Sequence, residues 1–166
     1  MTNTAAELHF THPERQRFFE DYKSDTKYNL GSVEVNEQEV LEFARRYDPQ
    51  SIHTSIEFAE SGPFKGLIAS GWHTAGLMMS LYAPCYLSDV SSVASPGMDE
   101  LRWLAPVRPG DVLDVNVHIV STRKSASKPD RGIVNTDVTV VNQQGIVVMS
   151  MRAVNVVLCR ETAASQ

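Results

Sequence analysis

Asp48 and His53 stand five positions apart in the string Asp48-Pro49-Gln50-Ser51-Ile52-His53 and put a carboxylate near an imidazole. An imidazole titrates near neutrality, so at working pH one form can take a proton and the other can give one. A neighbouring carboxylate adds a second proton-exchanging group. The same residues also have plain structural uses, since an aspartate before a proline commonly ends a helix and caps the next turn. A competing imidazole, His73, lies two residues beyond Gly71 and has no carboxylate close to it in sequence. Gly71 itself opens an uncharged stretch. Its backbone N–H, at the positive end of a helix, suits an oxygen that gains negative charge, and glycine permits close approach. Tight packing of that helix against a sheet would require glycine equally well.

The elements that must position these residues can be read from the spacing of apolar side chains. Tyr28 to Val35 alternates as a short strand. Asn36 with Glu39 resembles a capping box, and Val40, Phe43, Ala44 and Tyr47 then follow at helical spacing. Pro49 disfavours helix at Asp48, which places that carboxylate at the C-terminal exit of the helix. The negative end of the helix dipole there is expected to raise its pKa. Residues 49 to 70 read as irregular. Between Lys65 and Asp89 lie 23 residues without a charge, nominally enough to cross a bilayer. Gly66, Ser70, Gly71, His73, Gly76, Ser80 and Pro84 make it a core helix instead, running from Gly71 to about Ala83 with Pro84 as its stop. It is apolar on nearly every face and must therefore be wrapped. Strand-like runs follow at about 98–104, 112–122, 132–142 and 146–158, with turns at 109–111 and 142–145 that read as hairpins of an antiparallel meander. The run 146–158 is apolar on both alternations in places, as expected of a central strand or one whose outer face meets another subunit.

Composition narrows the function. Fifteen Lys and Arg face 20 Asp and Glu, a net charge of -5, which argues against a nucleic-acid partner. Cys85 and Cys159 form no metal-ligand or redox spacing, so neither a metal nor a disulfide framework is expected, and a reducing cytoplasm fits best. The N-terminal stretch has no apolar segment of the secretory kind. The expected organisation is an extension over residues 1–27, one domain over 28–160 and a tail over 161–166.

Three segments together resemble the MaoC-like dehydratases and (R)-specific enoyl-CoA hydratases. They are FARRYDPQSIH at 43–53, GLIASGWHT at 66–74 and SPGMDELRWLAPVRPGD at 95–111. The resemblance spans about residues 17 to 158. It implies an α+β hotdog fold, a strongly curved antiparallel sheet wrapped around one long central hydrophobic helix. It also implies reversible addition of water to a 2-enoyl-CoA thioester, with Asp48 and His53 as the acid-base pair and Gly71 as backbone donor. Coenzyme A would belong to the substrate, with no other cofactor, no membrane and a homodimer or dimer-based oligomer as the working form. Two departures stand out. Gln50 replaces the family's asparagine and the proline moves forward to Pro49, while Ser70 replaces the histidine often found before the helix-starting glycine. Ser70 and Trp72, flanking Gly71, are assigned to substrate binding. The run from Ser121 to Arg131 carries Arg123, Lys124, Lys128 and Arg131 against Asp130 alone, either a solvated hairpin tip or a holder of the phosphates of coenzyme A. The rival readings are a hotdog thioesterase, disfavoured because Gly71 to Ala83 holds no carboxylate, and a non-catalytic acyl-binding module.

Overall fold

The computed structural model describes residues 16–160 of the chain. The first part of the expected extension, residues 1–15, and the expected tail 161–166 lie outside the described residues. From Gln16 onward the extension belongs to the fold. Arg17 is fully buried and donates to the Cys85 carbonyl at 2.7 Å, and Tyr22 is buried in the core. The Phe19 ring fills the space beside Gly132, where a Cβ would lie 2.2 Å from it. The domain boundary expected at residue 28 therefore falls inside packed structure.

Strand β1, Thr26–Glu34, follows the predicted alternation and is interrupted between Asn29 and Ser32, where Gly31 adopts φ +98. Helix α1, Glu37–Tyr47, begins as expected: the Asn36 side chain accepts the Glu39 N–H at 3.2 Å, and Val40 and Ala44 turn inward. The segment expected to be irregular folds into two short helices, α2 at Ser51–Thr54 and α3 at Ile56–Ser61. Each is too short for a 3.6-residue period to register in sequence. Helix α4 spans Gly71–Tyr86 and continues past Pro84, the expected stop. A proline this near a helix end forfeits one hydrogen bond, to Ser80, which is exposed to water.

Four strands complete the fold: β2 Ser92–Trp103, β3 Val112–Lys124, β4 Arg131–Asn142 and β5 Val147–Leu158. The sheet order is β1-β3-β4-β5-β2, with every neighbouring pair antiparallel. The meander holds for β3, β4 and β5, and residues 142–145 turn the β4–β5 hairpin. The turn at 109–111 makes no hairpin, because β2 pairs with β5 and β3 with β1. β5 has neighbours on both sides, as its apolar run foretold, while β2 starts six residues before its predicted position.

The hotdog architecture is thus observed, and its core lies between α4 and the inner face of the sheet. Leu77, Met78, Tyr82 and Tyr86 of α4 share one buried cluster with Leu113, Val115, Val117, Ile119, Val134, Val138, Met149 and Met151. Polar groups inside it are paired: Asn155 donates to the Tyr82 hydroxyl at 2.8 Å, and Tyr86 bonds Thr136 at 2.7 Å. Burial holds both phenols protonated, with pKa values above the ordinary tyrosine value. The wrapping of α4 is incomplete. Trp72 and Met79 remain exposed because a single sheet covers only one side of the helix. Among the described residues, no helix is long and apolar enough to cross a membrane.

Candidate active site

Asp48 caps α1 in a non-helical conformation, φ -148 and ψ 69, with its N–H still donating to Ala44 at 2.9 Å. The chain leaves through Pro49, and α2 then carries His53 back over the same corner. Two donors hold the carboxylate: the Ser70 hydroxyl reaches Oδ2 at 2.6 Å and the Gln50 amide reaches Oδ1 at 2.7 Å. Ser70 is the N-cap of α4, where its hydroxyl oxygen also accepts the Trp72 N–H at 3.2 Å. One side chain thus starts the central helix and fixes the carboxylate at the end of α1.

His53 Nδ1 lies 2.8 Å from the Ile68 carbonyl oxygen, which can only accept. Nδ1 therefore carries hydrogen, and in the neutral ring Nε2 presents a lone pair. That Nε2 stands 3.6 Å from Asp48 Oδ2. The His53 side chain is only 8% exposed and that of Asp48 18%, so water reaches the pair only locally. The Ser70 hydroxyl, followed by the Gln50 amide, holds the Asp48 carboxyl below the usual carboxylate value; burial opposes this and His53 adds to it. The upward shift expected from the helix dipole is reversed, because direct hydrogen bonds to the ionised form outweigh a diffuse dipole in contact with solvent. In the form with Asp48 ionised and one hydrogen on the His53 ring, at Nδ1, both facing atoms are acceptors. A single water can donate one hydrogen to each and leave its oxygen lone pairs free to attack.

Beside this pair opens a cleft of about 290 Å³ lined by His53, Gly71 and Thr74 and otherwise by apolar groups, among them Phe64, Ile68, Trp103, Leu104 and Val148. Gly71 is the first residue of α4, a position whose N–H has no partner within the helix. The Trp103 indole lies against it so closely that a Cβ on Gly71 would stand 2.3 Å from the ring. The packing use of this glycine is therefore present, and the residue also lines the cleft.

The structure brings Asp48, His53, Ser70 and Gly71 together and leaves the other expected site residues apart. Ser70 is 1% exposed and turned to Asp48, so it acts on the carboxylate rather than lining the cleft. The Trp72 indole lies outside the lining, edge-on to Trp103 at 5.1 Å. Arg123, Lys124, Lys128 and Arg131 occupy the β3–β4 hairpin at the opposite end of the sheet. Trp103 pairs with Met149 and through it with Val140, whereas the hairpin end is marked by Gly132, Val157 and Ser92. From Val140 to Gly132 along β4 is about 26 Å at strand rise. Arg131 is held by both oxygens of Asp130, at 2.8 and 2.6 Å. Spacing did not single out Gln50, Thr74, Phe64 or Trp103 as site residues. His73 is buried against α1, its ring stacked on Phe43 at 5.0 Å, and does not line the cleft.

Residues 21–142 match the MaoC like domain. A crystal structure of the MaoC-like dehydratase from Rhodospirillum rubrum superposes with a TM-score of 0.80 at 35% identity, covering 87% of this chain and 98% of that one. The uncharacterized protein YdeM of Bacillus subtilis is 28% identical over 72% of this chain and 83% of its own. A 3-hydroxybutyryl-CoA dehydratase of Methylorubrum extorquens is 32% identical over 59% of this chain and 63% of its own length. The chain belongs to the MaoC-like domain family, whose members include hydratases and dehydratases.

Proposed function

We propose that this protein is an acyl-CoA hydratase or dehydratase, reversibly adding water to a 2-enoyl-CoA to give a 3-hydroxyacyl-CoA. The observation that carries the reading is the orientation of His53: Nδ1 is committed to Ile68, and Nε2 faces Asp48 Oδ2 at 3.6 Å at the edge of an apolar cleft. The kinship with a 3-hydroxybutyryl-CoA dehydratase supports the same reaction class. In the hydration direction the pair holds a water whose oxygen attacks C3 of the enoyl group. One water proton passes to the pair, and the electrons of the C2–C3 double bond move toward the thioester oxygen, which the Gly71 N–H receives. The pair then returns a proton to C2. Coenzyme A enters as part of the substrate, no other cofactor takes part, and the proposed setting is the cytoplasm.

The working form in this proposal is a homodimer. β2 is an edge strand of 12 residues with Val93 and Met98 exposed, and Met79 of α4 is exposed as well. Such an edge invites pairing with a second copy. A thioesterase is disfavoured by α4, which holds no Asp or Glu.

The test incubates purified protein with 2-butenoyl-CoA and follows loss of the conjugated absorbance together with free thiol. Hydration without thiol release is expected, with losses of about 10² to 10⁴-fold in Asp48→Asn and His53→Ala. Unchanged rates in both variants would reject the site, and thiol release would reject the reaction.

A further inference from the structure

Trp103 is the largest side chain lining the cleft, and the chemistry above leaves it unused. Its indole lies directly on Gly71, the proposed oxyanion donor, and shares the cleft with His53. It is nevertheless 47% exposed, so its free side is open to a ligand. A thioester held at Gly71 lies within the same cleft as this ring, because the indole packs directly on that residue and both line the cavity. We infer that Trp103 is a specificity-determining residue whose ring packs on the planar enoyl thioester and favours it over saturated acyl chains. This deepens the hydration reading and rests on it.

The physical basis is shape. A 2-enoyl thioester is conjugated and flat from C3 to the carbonyl, so it can lie against an aromatic ring along its whole length. Saturated C2 and C3 carry hydrogens above and below the chain plane and rotate freely, so the saturated thioester loses part of the contact. Aromatic contacts of this kind are worth about fivefold in affinity. Trp72, edge-on to Trp103 at 5.1 Å, buttresses the ring without lining the cleft.

The chain has only two tryptophans, Trp72 and Trp103, so the indole can report on itself. Asp48→Asn serves as background, slowing turnover so that binding is measured. Dissociation constants for 2-butenoyl-CoA and butanoyl-CoA are compared by calorimetry in that background, then with Trp103→Leu and with Trp103→Phe added. The expected result is a preference for the butenoyl thioester that falls about fivefold with leucine and is largely kept with phenylalanine. In Trp72→Phe with Asp48→Asn, the remaining indole should change emission when butenoyl-CoA binds, a readout that stands even if the leucine variant does not fold. An unaltered preference in Trp103→Leu, or constant emission from Trp103 during saturable binding, overturns this inference and leaves the hydration reading intact. If neither thioester binds the Asp48→Asn protein or the wild type, both readings are overturned together.

Discussion

Ser70→Ala removes one oxygen atom that serves two elements at once. The hydroxyl caps α4 through the Trp72 N–H, and loss of such a cap costs about 1 kcal/mol. It also donates to ionised Asp48 at 2.6 Å, and a hydrogen bond to a charged group contributes about 1.5 to 3 kcal/mol. With the carboxylate partly open to water the lower figure applies, which brings the loss near neutral pH to about 2.5 kcal/mol. For a chain of this length that lowers the melting temperature by about 8 °C. The two parts separate with pH. Asp48 has a folded pKa below its unfolded value, so its contribution is present above the unfolded pKa and is lost as pH falls through the folded one. Urea unfolding of wild type and variant should therefore differ by about 2.5 kcal/mol at neutral pH and by only the cap, about 1 kcal/mol, once Asp48 is protonated in both. In the same variant the acid limb of kcat/KM for butenoyl-CoA hydration should move to higher pH, because the main cause of the lowered Asp48 pKa is gone. A stability difference independent of pH, together with an unmoved acid limb, would refute the coupling of Ser70 to Asp48.

The remaining predictions concern α4 and the edge strand β2. His73 is 7% exposed, its Nδ1 has no hydrogen-bond partner, and burial lowers its pKa below 6.5, with Glu39 opposing. The unfolded chain binds a proton there first, so stability is fully present above pH 6.5 and declines as pH falls below it. In His73→Leu the urea-derived stability should fall less steeply between neutral pH and mild acid; equal slopes would exclude the residue as the source. Sedimentation equilibrium should show a dimer, and Met98→Lys at the centre of β2 should shift it toward monomer. A wild type that is monomeric at micromolar concentration would reject edge pairing.

Helix α1 and its cap were legible because capping and 3.6-residue periodicity are local properties, and the alternating runs of β3, β4 and β5 likewise report which face each residue turns inward. The short helices α2 and α3 escaped, since one or two turns give no period. Pro84 misled for a related reason: the cost of a proline depends on whether the carbonyl it orphans can meet water, a tertiary fact. The turn at 109–111 looked like a hairpin because local chemistry marks a reversal without saying which strands pair.

At the site, residue types and spacing determined that a carboxylate, an imidazole and a helix-starting glycine were available, and the family resemblance proposed their roles. Only the tertiary structure decided their protonation and contacts. The Ile68 carbonyl selects the His53 tautomer from 15 residues away, and the Ser70 hydroxyl lowers the Asp48 pKa from 22 residues away. Trp103 reaches Gly71 from the edge strand β2. Hydrogen bonds and ring contacts act over a few ångströms whatever the separation along the chain. The sequence therefore fixes which groups exist, and the fold decides which of them meet.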